Sequence, residues 1–157
     1  MNMNNKKPIV VIALLAFCAT LFSFAPKFGG EGYQVFINNK MVLEHYGSQI
    51  DVVKTLTLDE YSANGQITVK YYHCGKVSKG RVITIKDDQK NILKQWKFTD
   101  VNESTPAMNC SVKEIIGLRK NINSNSLNLY YASSELPNGR LLAILSVDNA
   151  TASKVSR

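Results

Sequence analysis

The chain has 157 residues, 45% of them hydrophobic and 20% charged, with a formal net charge of +7. That composition excludes the disordered class and allows one domain with a sizeable core. The basic residues are scattered, densest in "KVSKGR" and "LRKN", without the aromatic-interleaved stripe of a nucleic-acid surface, so no nucleic acid is expected as a partner.

The start, "MNMNNKKPIVVIALLAFCATLFSFAPKFGG", sets Lys6 and Lys7 before an uncharged run from Pro8 to Ala25, with no acid until Glu31. That layout predicts a signal peptide or N-terminal anchor over 1–25. Three outcomes stay open. Ser23-Phe24-Ala25 has the small residues of a cleavage site but is followed by Pro26. Leu15-Ala16-Phe17-Cys18 resembles a lipobox with Phe17 where a small residue belongs. The apolar run is also just long enough to be retained in a bilayer. The expected location is exported, periplasmic or extracellular, with membrane contact only through this segment. The leader lysines account for two of the seven net charges.

Residues 26–148 read as one β domain and 149–157 as a polar tail. "YQVFI" and "MVLEH" flank Asn38-Asn39-Lys40 and predict a hairpin, because asparagine accepts the positive φ of tight turns. "KTLTLD" and "QITVKYYHC" alternate around Asn64-Gly65, which predicts a second hairpin. Alternation puts Tyr71 on one face and Tyr72 on the other. "RVITIKDDQKNILKQWKF" predicts a third, with Trp96 and Phe98 expected to organise the core. "TDVNESTPAMN" reads as a connecting loop. Ser111 and Glu114 match a capping box and predict a short helix near 111–118. "SLNLYYAS" and "RLLAILSV", joined by "SELPNG", form the last pair. About eight strands and one short helix predict an all-β fold, an antiparallel β-sandwich, most simply immunoglobulin-like.

The stretch "YYHCGKVSKGR" concentrates the reactive residues. Cys18 lies in the leader, so Cys74 and Cys110 remain, an even count in an oxidising compartment, and a disulfide is expected. It would close a loop worth about 4 kcal/mol; two separate thiols are the alternative. A thiol enzyme or hydrolase centred on Cys74 and His45 is a rival reading, since His73 points to the other face of the strand. His45, His73, Cys74 and Cys110 lack the paired spacing of a zinc site, so no metal or other cofactor is expected. Gly75 to Arg81 imitates a phosphate loop, but a strand rather than a helix follows it. Tyr72, Tyr130, Lys76, Lys79 and Arg81 remain as a possible binding surface, with the tyrosines available to stack on sugar rings.

"YQVFINNKMVL", "HCG" followed by "RVITIKDD" and "WKF", and "LYYASSELPNGRLLAIL" resemble small uncharacterised secreted proteins of Bacteroidetes-type bacteria. The resemblance covers most of the exported domain and implies a secreted β-sandwich without assigned catalytic residues. The expected function is a non-catalytic binding or structural accessory module of the cell envelope, partnered by an envelope protein or polysaccharide. A carbohydrate-binding module using exposed tyrosines is its sharper form.

Overall fold

The computed structural model describes residues 30–59, 61–119 and 126–148; the leader expected over 1–25 and the tail expected over 149–157 lie outside them. In chain order the elements are β1 (Gly32–Ile37), β2 (Lys40–Tyr46), β3 (Lys54–Leu58), β4 (Gln66–Tyr72), β5 (Val82–Lys86), β6 (Ile92–Lys97), β7 (Met108–Ser111), α1 (Val112–Leu118), β8 (Ser126–Ser133) and β9 (Leu136–Val147). A four-stranded sheet, ordered β2-β1-β4-β7, faces a five-stranded sheet, ordered β3-β9-β8-β5-β6. This is an all-β sandwich.

The first hairpin forms as read. Asn38 and Asn39 take φ of +51° and +64°, the pair of left-handed positions that a two-residue turn between twisted strands requires. The third forms as well, with Lys90 at φ +67° in its turn. The helix also stands where its cap placed it: Ser111 Oγ accepts the Glu114 backbone N–H at 3.4 Å, and Val112, Ile115 and Ile116 are buried.

Four expectations are corrected. Asn64-Gly65 makes no hairpin, because β3 crosses to the other sheet and pairs in parallel with β9, Leu56 opposite Leu145. Gly65 serves packing there: a Cβ on it would lie 1.5 Å from Asn38 Oδ1, which accepts the Gln66 N–H. The supposed connecting loop contains a ninth strand, β7, whose Met108 and Cys110 face inward at the edge of β4. Four residues are too few for period two to show in a sequence. "SELPNG" is no loop either, for the turn is Ser134 and Glu135, and Pro137 to Gly139 lie within β9.

Lastly, Trp96 and Phe98 are only half-buried, because β6 is a sheet edge. Lys94 and Lys97 on that strand oppose edge pairing with another chain. The core is built instead from Ile83, Ile85, Leu127, Leu129 and Leu145 of the five-stranded sheet against Val35, Ile67 and Val69 of the other. Three tyrosines, 33, 71 and 131, join them with at most 2% of their surface exposed.

Candidate functional site

The corner that follows β4 dissolves the expected disulfide. His73 and Lys76 close a two-residue turn, Lys76 N–H to His73 O at 3.0 Å, with Cys74 at φ +49° and exposed on its tip. Cys110 is buried in β7 opposite Ile67, near the far end of β4. Seven residues of extended chain from Ile67 to Cys74 span about 20 Å, whereas bridged cysteines need Cα atoms within about 7 Å. Both are free thiols. Burial pushes the Cys110 thiol up to about 12, which keeps it protonated and inert. The rival thiol dyad fails on geometry too, for His45 points into the sandwich beside Tyr33, ring centroids 5.6 Å apart, while Cys74 faces solvent.

The remaining sequence-derived residues do not share one surface. Tyr72 stands on the outer face of the four-stranded sheet and Tyr130 on the outer face of the five-stranded sheet, where Lys86 Nζ lies 4.3 Å from its ring centre. Lys76 and Lys79 are exposed in the corner, but Arg81 turns inward and is buried, continuing the inward register of Ile83 and Ile85.

What the sequence reading missed is a polar seam between the sheets. Tyr71 stacks on Tyr33 and on Tyr131, with ring centroids 6.0 and 4.2 Å apart and planes within 16° of parallel. Tyr71 OH donates to Glu31 Oε1 at 2.8 Å, and Arg140 Nη1 donates to Glu31 Oε2 and to the Tyr71 hydroxyl oxygen, each at 3.0 Å. Tyr33 OH donates to the Leu142 carbonyl at 3.0 Å. His73 Nε2 lies 2.9 Å from Tyr131 OH and 3.3 Å from Ser133 Oγ, and its Nδ1 is 3.7 Å from Glu31 Oε1. The inward tyrosines were legible from alternation; their hydroxyl partners come from the chain before β1, from the corner after β4 and from β9, which no spacing rule links.

Serine, histidine and glutamate in this order invite comparison with a hydrolase relay. The proton count argues otherwise. Ser78 Oγ donates to Glu135 Oε2 at 2.9 Å, so at the 3.0 Å contact Tyr131 OH donates to Ser78. The Tyr131 oxygen then accepts from His73 Nε2, which carries a proton exactly where a general base must be bare. Ser133 is also only 5% exposed. The seam joins the sheets.

Burial holds His73 below its ordinary value of 6.5, against a weaker upward pull from Glu31 and Glu135. Burial and then the Lys54 ammonium do the same to His45, against the Gln49 backbone. Neither ring nitrogen of His45 has a hydrogen bond of ordinary geometry. Groups depressed in the folded state bind protons first in the unfolded chain. Stability is therefore expected to be complete above pH 6.5 and to fall as pH drops from there toward the folded values, by at most about 1.4 kcal/mol per pH unit per histidine. Urea midpoints measured between pH 7.5 and about 5 check this; a flat profile contradicts it.

The open surface with the most recognition chemistry is the outer face of the four-stranded sheet. Tyr46 and Tyr72 flank Gly32 with rings 5.6 Å apart, and a Cβ on Gly32 would lie 2.0 Å from Tyr46 Cδ1, so glycine lets that ring cross the strand. Below them Tyr72 OH donates to Gln34 Oε1 at 2.9 Å, and Gln34 Nε2 to Glu44 Oε1 at 2.6 Å. Next comes Phe36 with Lys70 Nζ 5.8 Å from its ring centre, then Thr68, whose hydroxyl donates to Asn109 Oδ1 at 2.8 Å. A trough of about 320 Å³ runs between Phe36, Lys70, Thr68, Gln66 and Asn109. It shares Asn39, Gln66 and Asn109 with a hollow of about 460 Å³ that adds Asn38, Asn64 and Ser111.

Each amide offers both donors and acceptors. Asn38 is spent on the Gln66 N–H and the Tyr61 carbonyl, and Asn109 Oδ1 on the Thr68 hydroxyl; the Asn39, Asn64 and Gln66 amides, Asn109 Nδ2, the Ser111 hydroxyl, the Phe36 ring and one cation suit a neutral polyhydroxyl ligand better than a charged or apolar one. Among the described residues no three His, Cys, Asp or Glu side chains converge to hold a metal, and no helix is long and apolar enough to cross a membrane. No protein-family model matches the chain, and no curated protein does.

Proposed function

We propose that this protein is an exported β-sandwich binding module of the cell envelope, non-catalytic, and that its ligand is a carbohydrate chain held on the outer face of the four-stranded sheet. The observation that carries the reading is the continuous trough from Phe36 to Asn109 and the asparagine-lined hollow beyond it. Of the tyrosines singled out from sequence, Tyr72 belongs to this face and Tyr130 does not. An immunoglobulin-like arrangement accompanies the proposal. The order β9-β8-β5-β6 in one sheet and β1-β4-β7 in the other is supported by its correspondence to the strand division of that fold.

Binding of the purified protein to a panel of neutral polysaccharides tests the reading. Phe36→Ala and Lys70→Ala are each expected to weaken the bound glycan about tenfold, since one ring or amphipathic contact is worth about 1.4 kcal/mol. Tyr130→Ala is expected to bind as the native chain does. Native-like binding by Phe36→Ala, or no binding by the native protein to any glycan, contradicts it.

A further inference from the structure

The outward side chains of the four-stranded sheet fall into cross-strand rows fixed by register. Tyr46, Gly32 and Tyr72 form the first row, Glu44, Gln34 and Lys70 the second, and Met41, Phe36 and Thr68 the third, with Asn109 beside Thr68. Successive rows are two residues apart along β1 and β4, about 7 Å. They differ in what they leave unpaired. In the first two rows the polar atoms are spent on one another, Tyr72 OH on Gln34 Oε1 and Gln34 Nε2 on Glu44 Oε1. Burial and hydrogen bonds to Tyr72 and Glu44 hold the Tyr46 phenol above its ordinary range, so that hydroxyl is occupied as well. The first row therefore offers a ligand aromatic surface: two half-buried rings, tilted 55° to each other, one of them laid across Gly32. The trough that begins at Lys70 and Phe36 has the opposite character, with the Asn39 and Gln66 amides and Asn109 Nδ2 left to bond a ligand.

We propose that the carbohydrate taken by this face is an extended chain, held by hydrogen bonds in the trough and continued by further sugar units onto the Tyr46 and Tyr72 rings. The inference rests on the glycan reading and names its ligand class. From Tyr72 to Gln66 is six residues of β4, about 20 Å, more than any single sugar spans, so only several linked units engage both regions. A sugar ring carries hydroxyls on its rim and C–H groups on its faces; the trough answers the first and the tyrosine rings the second. Between them Glu44 and Lys70 flank Gln34 with opposite charges, so the connecting row adds no net charge against a neutral chain. Once the trough holds one part of a chain, the adjoining units are presented to the tyrosines at high effective concentration, and even a weak ring contact then adds affinity.

Calorimetric titration of the native protein with trisaccharides and hexasaccharides cut from cellulose, mannan and amylose tests it. In the series that binds, the hexasaccharide is expected to bind at least about tenfold tighter than the trisaccharide. Tyr72→Ala is expected to remove that gain, weakening the hexasaccharide about tenfold and leaving the trisaccharide as it was. Tyr72→Phe keeps the ring and is expected to retain the hexasaccharide, because the hydroxyl is spent on Gln34. Affinity independent of chain length overturns the inference and leaves the glycan reading standing, and this comparison in the native protein decides alone should Tyr72→Ala fail to fold. Native-like hexasaccharide binding by Tyr72→Ala, or an equal loss at both lengths, also overturns it. No binding in any series contradicts the glycan reading itself, and the inference with it.

Discussion

Replacing Tyr131 by alanine is expected to lower the unfolding free energy by about 3–5 kcal/mol, the range for deleting a fully buried aromatic ring. Tyr131 has no exposed surface and stacks on Tyr71 at 4.2 Å, so the cavity would open in the middle of the aromatic stack. Its hydroxyl also joins His73 to Ser78. Tyr131→Phe keeps the ring and removes only that link, and is expected to cost about 1–3 kcal/mol because two buried polar groups lose a partner. Urea unfolding resolves the two parts as midpoint shifts at constant m. Equal losses in both variants would mean that the hydroxyl and not the stack holds the sheets together.

Glu31→Ala is the second large effect. Glu31 accepts from Tyr71 and from Arg140, so one substitution leaves a cation and a phenol without their anion. Breaking a fully buried pair costs about 3–5 kcal/mol. The side chain here is 31% exposed, and screening reduces the expectation to about 2 kcal/mol. Burial pushes the Tyr71 hydroxyl well above its ordinary range, and the bond to Glu31 reinforces that, so Tyr71 stays protonated and a donor throughout the physiological range. A double-mutant cycle of Glu31→Ala with Arg140→Met is expected to show coupling, since the pair shares a 3.0 Å bond. Strict additivity would remove Arg140 from the seam.

The sheet class, the first and third hairpins and the capped helix were legible because their signals are local: paired asparagines at positive φ, β-branched alternation, and a serine three residues before a glutamate. Non-local facts were not. Asn64-Gly65 has the composition of a hairpin turn, yet the chain there changes sheets, and only the pairing of Leu56 with Leu145 decides it. The cysteine count suggested a covalent link that the register of β4 and β7 forbids, since parity says nothing about distance along a strand. Alternation correctly sent Tyr71 and Tyr131 inward and Tyr72 and Tyr130 outward. The same parity does put Arg81 in the inward row of Ile83 and Ile85, which a reading of Arg81 as a surface cation overlooks. Alternation could not reveal that the two outward rings belong to different sheets. The candidate face escaped for the same reason: Phe36, Thr68, Lys70 and Asn109 are neighbours only across three strands.

Chemical-shift mapping of the labelled protein, titrated with a glycan that it binds, tests the central claim most directly. Backbone and side-chain amide shifts are expected to move at Phe36, Gln66, Thr68, Lys70 and Asn109 and to stay fixed around Tyr130 and Lys86 on the opposite sheet. Perturbations gathered on the five-stranded sheet, or confined to the Cys74 corner, would contradict the assignment of the ligand to the four-stranded face.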